Sequence, residues 1–137
     1  MSNQTVKQIM RKHPISIQCQ TPLNEIIHIL STSLQDHLPV VNSSKQLLGM
    51  VSLIECQKVL LISAYHCDKP IKVNDIMVKQ FTTLNQDQRL SDVAITTQAL
   101  TENLFPVVKD DKLIGIIKRT DLLVHLQQSL NHCSQTK

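Results

Sequence analysis

Apolar and polar positions along the chain change period in a fixed order, and that order occurs twice. Residues 15–19, ISIQC, alternate as a short half-buried strand does. Leu23, Ile26, Ile27, Leu30 and Leu34 then recur at the spacing of an amphipathic helix. Thr21 is placed to cap that helix, with Pro22 in its first turn. LPVV (38–41) and LLGMV (47–51) are β-branched and aliphatic runs split by NSSKQ, a composition suited to a hairpin turn. A helical segment bearing Cys56, Val59 and Leu60 follows from Leu53. The second half repeats the order with FTTL (81–84), a helix from Leu90, FPVV (105–108), the turn KDDK (109–112) and LIGII (113–117). It ends in a helix carrying Leu122, Leu126 and Leu130. Its first helix is less regular, because Thr97 and Thr101 stand where the first half has Leu30 and Leu34.

The two halves align residue by residue. Val6, Ile9 and Met10 match Val73, Ile76 and Met77, and Pro39-Val40-Val41 matches Pro106-Val107-Val108, all at a separation of 67. One residue fewer in the second turn makes the separation 66 from there on, so that Leu47 meets Leu113, Gly49 meets Gly115 and Glu55 meets Asp121. Gly49 and Gly115 are the only glycines in the chain. The sequence therefore predicts an α/β (α+β) protein of two β-α-β-β-α repeats, each with a short leading helix. The expected boundaries are 1–64 and 73–131, joined by a linker at 65–72 and followed by a tail at 132–137. A repeat of about 60 residues is marginal alone because it buries little of its surface, so the pair is expected to pack sheet to sheet with pseudo-twofold symmetry.

Composition narrows the functional classes. With 42% hydrophobic and 18% charged residues in 137, the chain reads as globular. Tyr65, Phe81 and Phe105 are its only aromatics, so the core is aliphatic and platforms for stacking bases are nearly missing. A net charge of +3 is spread along the chain, which together with the missing aromatics argues against nucleic acid as a partner. No apolar run reaches the roughly 18–20 residues of a membrane helix. The start, MSNQTVKQIM, lacks the apolar stretch of a signal peptide, and the four cysteines form no CxxC pair. A cytoplasmic protein with reduced thiols is the expectation. No nucleophile and base can be paired in a recognised signature, so an enzyme is not expected.

The unit starts IMRKHPISI (9–17) and IMVKQFTTL (76–84), the runs LPVV and FPVV, and the two glycine segments together resemble a tandem pair of cystathionine-β-synthase (CBS) domains, or Bateman module. The resemblance runs from about Val6 to Leu130. It implies a regulatory module, usually a homodimer, whose clefts between domains bind adenine nucleotides such as AMP, ADP or ATP, or S-adenosylmethionine, and which signals to an effector protein. No cofactor beyond that regulatory ligand is implied. In such modules the glycine is followed by a hydroxyl residue that meets phosphate and an acid that accepts from the ribose, while the opening and proline strands wall the adenine. Carried onto this chain, the first copy offers Ile15, Pro39, Ser52 and Glu55, and the second offers Thr82, Pro106, Lys118 and Asp121. The first keeps the hydroxyl but has a longer acid; the second keeps the Asp but has lysine in place of the hydroxyl. Asp121 favours the second cleft, and Lys118 with Arg119 makes that helix entrance cationic.

Plainer structural roles stand beside each of these. The glycines relieve a strand-to-helix turn or admit close backbone approach. Ser52, Glu55 and Asp121 cap helices or complement their dipoles. Pro39 and Pro106 are core residues, Lys118 is a solvated strand end, and the Leu122-Leu126-Leu130 stripe is core or a dimer seam. The dipeptides His66-Cys67 and His132-Cys133, also 66 apart, are weak candidates for a zinc site. The rival to ligand sensing is a structural dimerisation module whose clefts hold nothing.

Overall fold

The computed structural model describes residues 4–33, 35–63 and 71–135. In chain order the elements are α1 (Val6–Ile9), β1 (Arg11–Lys12), β2 (Ile17–Gln18), α2 (Leu23–Thr32), β3 (His37–Val41), β4 (Leu47–Ser52) and α3 (Leu53–Ser63). After a 3-10 turn at Val73–Asp75 come β5 (Leu84–Asn85), α4 (Leu90–Thr97), β6 (Leu104–Lys109), β7 (Lys112–Lys118) and α5 (Arg119–Gln135). Both halves thus run β-α-β-β-α behind a short leading turn of helix. Leu34 lies outside the described residues.

The chain folds into two compact units, and these interleave the repeats. Ile15–Phe81 form one unit; Met1–Pro14 and Thr82–Lys137 form the other. The leading segment of the chain therefore completes the unit of the second repeat, and residues 71–81 complete that of the first. We call them the first-repeat and second-repeat units.

In the first-repeat unit β2 runs parallel to β3, and β3 antiparallel to β4. Ile26 and Leu30 on the inner face of α2 are buried with Ile17, Leu38, Val40, Val51 and Cys56, and Val73 and Ile76 close the cluster. Pro22, extended and without an N–H, stands before α2, so the first helical amide is Leu23, which donates to Ile71 O at 3.0 Å. Thr21 does not cap this helix: its hydroxyl donates to Gln18 O at 2.8 Å, and its own carbonyl accepts from Val73 N–H at 3.1 Å. The returning chain supplies the partner that sequence assigned to a side chain.

The second-repeat unit has four strands in the order β1-β7-β6-β5. Phe105, fully buried, sits in its core with Val6, Leu84, Leu90, Val93, Val107, Ile117 and Leu122. Thr97, where the first repeat has Leu30, is also buried and satisfies its hydroxyl on Val93 O at 2.7 Å.

The two hairpins explain the one-residue change in register. Lys109 faces Lys112 across Asp110 and Asp111, both left-handed at φ 52° and 65°, the geometry of a two-residue turn that matches strand twist. The longer first turn is organised by the Asn42 side-chain oxygen, which accepts from the amides of Ser44 at 2.9 Å and Gln46 at 3.0 Å. Each hairpin then shifts register at the same point, between Val40 and Val41 and between Val107 and Val108. Gly49 lies opposite Val40, and Gly115 opposite Val107.

Neither glycine has positive φ, and both lie inside strands rather than at the strand-to-helix turn. What they provide is space. A Cβ on Gly49 would sit 2.9 Å from Met77 Sδ and from Val78 O; one on Gly115 would sit 2.9 Å from Met10 Sδ and Arg11 O. The leading Ile-Met of each repeat thus crosses the glycine of the other, and the backbone beyond it pairs there: Arg11 opposite Ile116, and Val78 opposite Met50. The repeated glycine exists because the repeats exchange these segments.

Of the Leu122 stripe only Leu122 is core. Leu126 and Leu130 are exposed, as are Leu123 and Val124 beside them and Leu53, Ile54, Leu60, Leu61 and Ile62 on α3. Among the described residues no helix is long and apolar enough to cross a membrane.

Candidate functional site

Each unit passes directly from its last hairpin strand into its last helix, β4 into α3 and β7 into α5. The first amides of such a helix need partners from outside the helical ladder. The two repeats supply them in different ways.

In the second-repeat unit Asp121, in the first turn of α5, reaches back to accept from the Lys118 amide at 3.1 Å. The same carboxylate is gripped by Arg11, whose Nε donates to Oδ2 at 3.1 Å and Nη2 to Oδ1 at 2.9 Å. Arg11 arrives there because β1 pairs with β7. The Asp121 side chain is 18% exposed and that of Arg11 54%. Partial burial pushes the Asp121 carboxyl up, but the bonds from Arg11 and the Lys118 amide, with the charges of Arg11 and Lys118, outweigh it and hold the group below its ordinary value. The bond to Asp121, then its charge, raises Arg11 in turn. Asp121 is an ionised acceptor at neutral pH.

Thr82 is held by Glu102, which accepts from the Thr82 amide at 3.0 Å and the hydroxyl at 2.9 Å. Arg119 does not make the helix entrance cationic toward solvent. Its guanidinium donates to the carbonyls of Thr97, Leu100 and Glu102 and stacks over Phe105 at 5.4 Å, clasping the loop between α4 and β6.

In the first-repeat unit Ser52 does the capping, its hydroxyl accepting from the Glu55 amide at 3.2 Å. Glu55 lies 3.7 Å from Lys58 on the same helix. Burial, and then the Glu55 charge, push the neighbouring Cys56 thiol up, so it is a core group rather than a nucleophile. Gln35, buried, donates to Ile15 O at 3.4 Å and His37 O at 3.2 Å, tying the opening segment to β3. Ile15 itself precedes β2 and is 43% exposed.

Pro39 and Pro106 are buried opposite Met50 and Ile116. Of the residues singled out from sequence, the structure joins Ser52 to Glu55 and Lys118 to Asp121. Among the described residues no hydrogen bond links Ile15 or Thr82 to those turns; they belong to Gln35 and Glu102 instead. Sequence reasoning missed Arg11, Gln35 and Glu102. Gln35 and Glu102 did carry a signal, since they stand 67 apart, as Ile15 and Thr82 do. His66 and Cys67 lie outside the described residues, and so do the side chains of His132 and Cys133. Among the described residues no group of three or more His, Cys, Asp or Glu side chains converges on a metal position.

Comparison with known proteins agrees with this architecture. The CBS domain matches residues 6–61 and again 73–128. A Vibrio cholerae protein assigned by name to acetoin utilization, AcuB, has a solved structure with TM-score 0.82 and 26% identity, covering 99% of this chain and 98% of that one. The CBS domain pair of protein MJ0100, solved with 5′-methylthioadenosine and S-adenosyl-L-methionine, gives TM-score 0.74 and 26% identity, covering 90% and 99%. A cystathionine beta-synthase of Dictyostelium discoideum is 26% identical over 131 residues, which is 91% of this chain and 25% of that enzyme. The chain spans less than half the length of the first curated relatives it matches.

Proposed function

Because the chain belongs to the CBS-domain family and carries two copies of the domain, we propose that it is a cytoplasmic regulatory module rather than an enzyme. It binds an adenosine-containing ligand, of the AMP, ADP or ATP type, at its strand-to-helix junctions. The observation that carries this reading is Asp121, an ionised, partly buried carboxylate held at the start of α5 by charge-assisted bonds. Such a group is an acceptor for a vicinal diol, as a ribose presents. Thr82, Pro106 and Lys118 in the same unit, and Ile15, Pro39, Ser52 and Glu55 in the other, complete the two proposed sites. The ligands in the MJ0100 domain pair, both adenosine derivatives, support the class.

Binding is reported through the contacts of a homodimer or an effector protein. The exposed apolar rows on α3 and α5 support such contacts, since each unit presents several leucines to solvent beside its helix pair. A ligand acts on them only by as much as it favours one arrangement over another.

The second reading is a dimerisation module whose sites take no ligand, and the Arg11–Asp121 pair favours it, because the acid already has a partner. Titration calorimetry with AMP, ADP, ATP and S-adenosylmethionine separates the two. Saturable binding that weakens about tenfold or more in Asp121→Ala is expected. No binding of any of the four at about 1 mM, weaker than roughly −4 kcal/mol, overturns the sensing role.

A further inference from the structure

We infer that Arg11 makes the second-repeat site selective for anionic adenosine ligands over neutral or cationic ones, a conclusion that rests on the ligand class proposed above. The selectivity follows from the balance of charge around Asp121. Two cations act on this one carboxylate, Arg11 through two hydrogen bonds and Lys118 through its charge. Both come from β-strands that pair with each other, β1 and β7, so the backbone ladder holds them in place.

A ribose diol that takes the Asp121 oxygens must displace the Arg11 donors. A hydrogen bond to an ionised partner contributes more than one between neutral groups, so the exchange is unfavourable unless Arg11 finds another anion. A 5′-phosphate supplies one, and the planar guanidinium fork suits phosphate oxygens as well as carboxylate. A neutral thioether in that place offers no replacement, and a sulfonium adds repulsion. The site therefore accepts the diol readily only from a molecule that brings negative charge with it.

The first repeat provides the internal contrast. The counterpart of Arg11 is Val78 and that of Lys118 is Ser52, so two cations are replaced by an alkyl group and a hydroxyl. The backbone placement is the same: Val78 faces Met50 where Arg11 faces Ile116. Glu55 has only Lys58, 3.7 Å away and 66% exposed, among the described ion pairs. No ion pair need be broken by the leading segment there, and charge selectivity belongs to the second repeat alone.

The test compares dissociation constants for AMP and 5′-methylthioadenosine in the full chain, in Arg11→Ala and in Arg11→Lys, with circular dichroism to confirm folding. The expected result is a preference for AMP that falls about tenfold or more in Arg11→Ala, through weaker AMP binding, tighter 5′-methylthioadenosine binding or both, with Arg11→Lys between. If Arg11→Ala does not fold, Arg11→Lys carries the comparison, since it keeps the charge and loses the fork. An AMP preference unchanged in the variants overturns the role of Arg11 and leaves ligand binding standing. Failure of both ligands to bind the unaltered chain and both variants overturns the adenosine reading itself, and the selectivity with it.

Discussion

The two strand-to-helix junctions are the same backbone carrying different chemistry. In both, a strand crosses the methionine and backbone of a segment from elsewhere in the chain at its glycine, then turns into a helix. In both, one polar side chain bridges the opening segment, Gln35 to Ile15 and Glu102 to Thr82. The helix starts differ. Ser52 caps from the N-cap side toward the Glu55 amide, whereas Asp121 reaches back to the Lys118 amide. Each junction holds one half of the reciprocal box in which residues three apart satisfy each other's amides. Because the second repeat caps with an acid, it leaves a charge to be neutralised, and Arg11 does so. The capping choice therefore decides which junction is polar and internally paired, and which is nearly neutral.

Substitutions at matched positions sharpen that contrast, and the largest effect is expected where the halves agree. Gly49→Ala and Gly115→Ala each place a Cβ 2.9 Å from a backbone oxygen as well as from a methionine sulfur. Both should cost about 1–3 kcal/mol in urea unfolding, as overpacking does. Trimming the sulfur with Met10→Ala should not restore Gly115→Ala, because Arg11 O remains. Full rescue would mean that the backbone yields and that the glycine is not required by the exchanged segment.

The next effect should separate the junctions. Ser52→Ala removes the hydroxyl that caps α3 and should cost about 1 kcal/mol. Lys118→Ala at the matched position should stay within about 0.5 kcal/mol, since the amide rather than the side chain makes the capping bond. Equal losses at both positions would break the comparison.

The smallest effect is electrostatic. The folded Asp121 carboxyl is held below its ordinary value of about 3.9. Its contribution is therefore present above that pH and is lost as pH falls through the lower folded value. With Arg11 54% exposed, the pair should add no more than about 1 kcal/mol. The difference in urea midpoint between the unaltered chain and Asp121→Asn, which keeps an acceptor for the Lys118 amide, should be fullest near neutrality. It should shrink as pH falls below the ordinary carboxylate value and vanish once the lower folded value is passed, and a difference that grew on acidification would contradict the pairing.

Much of the architecture is legible in the order of residues alone. The duplication, the element sequence, the helices of α2 and α5, the two hairpins and the reason for the change in separation are all local, since period and turn chemistry act within a few residues. The matched glycines, too, could be recognised as positions of close approach before any coordinates, although not what approaches them. Thr21 shows where local reading stops: its spacing suits a cap, but Ile71 arrives with a carbonyl for the helix amide and the hydroxyl turns elsewhere.

What only the tertiary structure decided is the exchange of leading segments and everything that follows from it. Residues 1–14 join the second repeat, and so Arg11 meets Asp121 from 110 positions away. No periodicity encodes such a meeting, because the path of the chain between the two residues sets it. Arg119 likewise reads as a free charge in sequence and becomes a clasp only when the carbonyl of Thr97 at the end of α4 and those of Leu100 and Glu102 in the following loop converge on it. Local pattern specifies which elements form, because it depends on neighbours along the chain; the pairing of charges depends on neighbours in space, which the fold alone supplies.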